Sequence, residues 1–348
     1  MRILQQLLVG LASVLILLSA GCPKKADKPK GDEPTAKPDD RKPPDDKKPD
    51  RPAPGALAAD EAYAKGKVEA AVVEMHTRVD LPNMGPPGEI GDAIKKAQEA
   101  SVLSQRMVVS DDRGKMVFTT PSFYIPRGTE LRYNPAHKKY VLSDAGKKTY
   151  WAMTGAEIGN LLEGGPAMKR TNYTIKITDT GDKETVAGVE AVRSDAELGF
   201  DWSVKTKSGD KQGKVQVKLA IWHSADEKLK APWGAMMVDF LTVPFQDAEG
   251  QKVVDELKKR VTFPVKWSME VIDDSRKDKQ DQHPKLLTVA QKLEVKQLDR
   301  AELASPPAGY DPARVPYSFG EGGQTASEEL LSKIRSEEHT SELQSLLI

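Results

Sequence analysis

The sequence predicts an α+β fold that is mostly β, an antiparallel sheet with a few short helices. Three observations carry this expectation. Apolar and polar residues alternate at period two over several segments, the mark of strands with one buried face. Turn signals built on Gly, Asn, Asp and Pro recur at short intervals. Helical spacing and helix-end signals are confined to a few brief stretches.

Taken in order, Leu57–Lys65 reads as a short helix leading into the first strand. There Ala71, Val73, Met75, Thr77 and Val79 alternate with Glu74, His76 and Arg78, so one face is buried and the other wet. Pro86-Pro87 precede a segment, Gly88–Gln105, that reads as a helix beginning near Glu89. Short strands follow, divided by turns at Asp112-Arg113-Gly114, Asn134-Pro135 and Asp144-Ala145-Gly146. Thr154-Gly155-Ala156-Glu157 is a capping-box pattern, opening a short helix to Leu162 that Gly164-Gly165 closes.

Alternation is cleaner in the second half. Leu198, Phe200, Trp202 and Val204 form one stripe and, after a turn over Ser208–Gly213, Val215, Val217, Leu219 and Ile221 form another. Helices are expected over Gly234–Leu241 and Glu249–Arg260. The last strands carry Phe263, Val265, Trp267, Met269 and Val271, then the run Leu286–Leu298, with a charged loop Asp273–Pro284 between them.

Both ends stand apart from this domain, which is expected over residues 56–319. Residues 1–21 read as an export signal: Arg2, then the apolar run Leu7–Ala20, shorter than the ~20 residues that cross a bilayer. Leu18-Ser19-Ala20-Gly21-Cys22 resembles the lipobox of bacterial lipoproteins. The resemblance implies cleavage before Cys22, which would carry a thioether-linked diacylglycerol and an amide-linked acyl chain. Several buried acyl chains would hold the protein on a membrane, since each methylene contributes about 0.8 kcal/mol. Pro23, where inner-membrane retention usually shows Asp, turns the expectation towards an outer-membrane lipoprotein facing the periplasm. Residues 22–55 are almost entirely Pro, Lys, Arg, Asp and Glu with no large aliphatic or aromatic side chain, and read as a disordered tether. As polyproline II at ~3.1 Å per residue it would reach about 100 Å. Residues 320–334 read as a second disordered stretch. Residues 335–348, beginning Arg335-Ser336-Glu337-Glu338-His339, read as the translation of a sequencing adapter and are set aside.

Composition narrows the function. Lys plus Arg and Asp plus Glu are both 52, so the formal net charge is zero and no basic excess points to nucleic acid. One cysteine excludes a disulfide framework and a thiolate-rich metal site. His76, His137, His223 and His283 are too scattered in sequence for metal-ligand spacing, so no metal or cofactor is expected. His223 continues the Val215–Ile221 row and reads as a structural hydrogen-bonding group. No GxSxG elbow occurs, and Gly209–Lys214 falls short of a phosphate-binding loop, so no catalytic residue is assigned.

Several segments together resemble the exported bacterial lipoprotein domains related to the LolA/LolB/LppX-like half-barrels. They are Tyr133-Asn134-Pro135 with Lys138–Thr154, Thr180–Asp195, Leu219–Asp226, Phe263–Val271 and Ser305–Tyr310. The resemblance spans residues 104–310 and implies a strongly curved antiparallel sheet with short helices on its concave side. It also implies an apolar groove, which holds acyl chains in characterised relatives. Phe200, Trp202, Leu219, Ile221, Trp267 and Met269 are the residues expected to line it, and the same pattern would serve a filled core. Tyr150, Trp151 and Trp233 read as rim or loop residues. The expected function is non-catalytic: binding a lipid or lipoprotein acyl chain in the envelope. The alternative is a packed lipoprotein that docks an envelope protein, signalled by an exposed apolar face on a helix such as Gly234–Leu241.

Overall fold

Period-two patterning over most of the chain produces a single sheet. The computed structural model describes residues 57, 60–80, 102–120, 127–158, 169–206, 209–273, 283 and 285–313. Among them run β1 (Lys67–Asp80), β2 (Val102–Val109), β3 (Gly114–Phe118), β4 (Glu130–Asn134), β5 (Lys139–Asp144) and β6 (Thr149–Met153). Then come β7 (Lys169–Val186), β8 (Val189–Thr206), β9 (Gly209–Ser224), β10 (Phe263–Asp273), β11 (Lys285–Asp299) and β12 (Asp311–Pro312). Two helices, α1 (Ala231–Leu241) and α2 (Gln251–Arg260), interrupt the strands between β9 and β10.

The twelve strands make one curved, unclosed sheet in the order β12-β6-β5-β4-β3-β2-β1-β11-β10-β9-β8-β7. Every pairing is antiparallel except β12 on β6. Consecutive strands are neighbours within two runs, β1 to β6 and β7 to β11; the runs join at the centre, where β11 pairs with β1 over the whole of that strand, and β12 returns to the far edge beside β6. At the β7 end the sheet curls far enough that Cα atoms of β7 come within 8 Å of β11, four strands away.

The larger core lies on one face, called here the inner face. Ala71, Val73 and Met75 of β1 point into it with Leu198, Phe200, Val217, Leu219, Trp267 and Met269. α1 and α2 pack on this face and contribute Trp233, Met236, Phe240, Val253 and Leu257. A smaller core lies on the outer face, where Val68, Ala70 and Val72 of β1 meet Val108, Leu298, Leu303 and Ala304. Alternate residues of β1 thus serve two cores, as the strand period requires.

Close approaches seat α1. A Cβ on Gly234 would lie 2.1 Å from the carbonyl oxygen of Thr262, and one on Gly114 would lie 2.4 Å from a Phe240 ring carbon. The β7–β8 hairpin turns through Ala187 (φ 48°) and Gly188 (φ 84°), two successive positive φ values of the kind two-residue hairpins demand.

Several expectations need correction. Among its described residues, Leu57–Lys65 contains turns at 61–64, with one helical bond from Ala64 N–H to Asp60 O, and no helix. Val102–Gln105 is the start of β2, because it pairs in register with Met75–Arg78 of β1; the rest of the expected helix there lies outside the described residues. The Ser208–Gly213 turn is shorter, since Gly209–Gly213 already pairs with Trp202–Thr206. At Thr154 the capping box forms: Thr154 N–H donates to Glu157 Oε2 at 2.6 Å, and Glu157 N–H to Thr154 Oγ1 at 3.2 Å. Helix is described over 155–158, and its expected end lies outside the described residues, as do Cys22 and the terminal segments.

Candidate functional site: the inner face of the sheet

All six expected lining residues fall in the inner core. Phe200 and Trp202 sit on β8, Leu219 and Ile221 on β9, Trp267 and Met269 on β10, each at most 6% exposed. Cross-strand register explains the grouping, since Ile221 opposes Trp267 and Leu219 opposes Met269. Phe200 packs 5.5 Å from the Tyr173 ring and edge-on, 6.1 Å, to Phe245 in the turn after α1. Trp202 covers Gly213, where a Cβ would be 2.8 Å from the indole nitrogen.

The helices close this face, and their burial overturns two expectations. Trp233 is fully buried: its indole N–H donates to Asp111 Oδ1 at 2.8 Å, which settles its polar atom, and the Lys230 ammonium lies 5.0 Å from the ring. Tyr150 and Trp151 are also buried; Tyr150 faces outward beneath Leu57, which its hydroxyl bonds. Residues Gly234–Leu241 turn almost entirely inward, so they form no exposed apolar face. Tyr140 reaches up from β5, donating to Asp239 O at 3.1 Å and accepting from Gln246 Nε2 at 2.8 Å. Asp239 on α1 pairs with Lys258 on α2 at 2.6 Å; burial pushes its carboxyl above the usual range and the lysine pulls it back.

Polar groups interrupt the apolar lining in a pattern the sequence did not suggest. Thr77 and Thr288, opposed on β1 and β11, share a hydroxyl hydrogen bond of 2.8 Å with both side chains fully buried. Among the described residues, Gln105, 1% exposed on β2, has neither its amide nitrogen nor its oxygen bonded, and the indole nitrogens of Trp202 and Trp267 are also unpartnered. Leaving a buried polar group unpaired costs about 1–3 kcal/mol.

His223 belongs to a separate chain of bonds at the sheet's curled edge. Ser194 Oγ lies 3.0 Å from its Nε2 and donates to Asp179 Oδ1 at 2.8 Å. Thr262 N–H donates to Nδ1 at 3.3 Å, while the Thr262 hydroxyl is 2.8 Å from Nδ1 and donates to Ser224 O at 2.6 Å. The serine hydrogen is committed to the carboxylate, so the imidazole donates through Nε2. In that order, carboxylate to serine to imidazole, Ser194 is not activated as a nucleophile, because a general base must take the hydroxyl proton. Burial holds His223 below its ordinary value against the pull of Asp179. His76 and His137 are exposed on distant strands and turns, and no metal-binding cluster of His, Cys, Asp and Glu occurs among the described residues.

The outer face of the second half is charged and open. A depression of about 360 Å³ is floored by Ala220 and Ser268 and rimmed by Arg193, Asp195, Glu197, Lys218, Glu270 and Lys285. No family model and no curated protein matches the chain.

Proposed function

We propose that the chain is a non-catalytic, membrane-anchored envelope lipoprotein whose half-barrel binds an acyl chain between the inner face and the two helices. One observation carries the reading. The curved, unclosed sheet presents a largely apolar face from Met107 on β2 to Ala196 on β8, broken by Gln105 and the Thr77–Thr288 pair, and α1 and α2 pack on it. An acyl chain entering there would replace side-chain contacts with its own, at about 25 cal/mol per Å² of apolar surface buried.

The lining is suited to such an exchange. Six of the ten methionines, Met75, Met107, Met116, Met236, Met237 and Met269, lie in the inner core. Thioether side chains are flexible and polarizable and repack around irregular shapes at low cost. Anchoring would come from acylated Cys22, and the segment after it would set the distance from the membrane.

The full chain carrying Cys22→Ser, exported from a bacterial host and analysed by native mass spectrometry, tests the reading. A discrete adduct of lipid mass is expected. A clean apo mass that persists after incubation with phospholipid vesicles would overturn it in favour of a packed module docking an envelope protein.

A further inference from the structure

We infer that Gln105 is the polar anchor of this site and that its ligand is an acyl compound presenting a carbonyl head, as a free fatty acid or an acyl ester. The inference rests on the acyl-binding reading above and goes beyond it in naming the contact and the head chemistry. Gln105 points to the inner face between Leu103 and Met107 along β2, with Met75 opposite on β1 and Phe118 opposite on β3. All four neighbours are buried and apolar. A side chain of this size with no polar atom would fill the same space without leaving two groups unpaired.

An amide supplies both a donor and an acceptor at one point. A carboxylic acid pairs with both, and an ester carbonyl takes the N–H. From Gln105 the inner face runs across the Thr77–Thr288 pair to Trp267, three strand spacings of about 4.8 Å. An acyl tail starting at Gln105 and laid across the strands therefore meets the methionine-rich lining and ends among Trp267 and Met269. This direction makes Gln105 the orienting group and the residues of β10 the end of the groove.

The test compares the full chain carrying Cys22→Ser with the same chain also carrying Gln105→Met, an apolar side chain of similar shape. Displacement of the apolar dye N-phenyl-1-naphthylamine is measured with hexadecanoic acid, its methyl ester and 1-bromohexadecane, beside a thermal melt without ligand. The parent chain is expected to prefer the acid, alone or with the ester, over the bromoalkane by about tenfold, the worth of one buried hydrogen bond. Preference for the acid alone identifies a free fatty acid, and preference for both identifies a shared carbonyl contact. Gln105→Met is expected to bind all three within threefold of one another and to melt no lower than the parent.

Other outcomes overturn the inference at separate points. If no probe displaces the dye from the parent chain, the acyl-binding reading falls and this inference with it. If the parent binds all three equally, or the variant keeps the preference, acyl binding stands and the Gln105 anchor falls. A variant that melts lower or fails to fold shows that the amide is already satisfied by the fold, and the anchor falls.

Discussion

The two halves of the sheet, which meet at the β1–β11 pairing, use the same inner face and treat the outer one in opposite ways. Strands β2–β6 are five to eight residues long, and their outer face is sealed by the chain from Arg300 to Pro312. Strands β7–β10 are 11 to 18 residues long and leave the outer face to solvent. Burial follows suit. In β4, Leu131 and Arg132 are both buried, and in β5 so are Tyr140 and Val141, whereas β9 alternates strictly from Lys214 to Leu219. A strand covered on both faces loses the alternation that marks a strand open on one.

The largest effect should come from breaking the seal on the short half. Arg132, 5% exposed, donates to Glu302 O and Ala304 O at 2.7 and 2.8 Å and forms a two-pronged pair with Glu130. Arg132→Met would leave Glu130 with only its 4.0 Å pair to Lys115 and two carbonyls without this donor, a loss of about 2–5 kcal/mol. Urea unfolding measures it. A loss below about 1 kcal/mol would mean that the outer segment is held without this residue and that the two halves differ less than their burial indicates.

An intermediate effect is expected where the curled half is tied to its helices. His223 bonds Ser194 on β8 and Thr262 in the link between α2 and β10, so His223→Gln should cost about 1–3 kcal/mol near neutral pH. Its folded pKa lies below the ordinary 6.5, so the unfolded chain takes up the proton first. The stability it contributes is therefore complete above that value and is lost as pH falls below it. Melting between pH 5 and 8 should show a drop on the acid side that is reduced in His223→Gln. Equal slopes in the two proteins would remove His223 from the account.

The same contrast explains what the sequence made legible. β10 and β11 are legible nearly to their ends, whereas in β8 and β9 only Leu198–Val204 and Val215–Ile221 show a clean apolar stripe. The start of β2 reads as helix in the sequence because Val102–Gln105 follows a helix-forming stretch and its outer positions are not all polar. β7 was hidden by its charged outer half, Asp179–Glu184, where no apolar stripe runs. Of the site, the six lining residues were visible as same-face positions. Gln105 and the Ser194–His223–Thr262 chain were not, since each depends on pairing between segments distant in sequence. Trp233 was misplaced for a related reason: its partner, Asp111, is 122 residues away.

The smallest effect sharpens the comparison from the open side. Lys218 on β9 stands exposed at the rim of the outer depression, opposite Glu197 on β8 and Glu270 on β10. Cross-strand charge pairs in water contribute little, and solvent screens them further at physiological salt. Lys218→Ala should therefore change stability by no more than about 0.5 kcal/mol. It should also leave acyl binding on the other face untouched, because alternation puts its side chain on the far side of the strand from Leu219. A loss above about 1 kcal/mol would show that the outer face of the long half is not a free solvent face. The asymmetry between the halves would then lie in strand length alone.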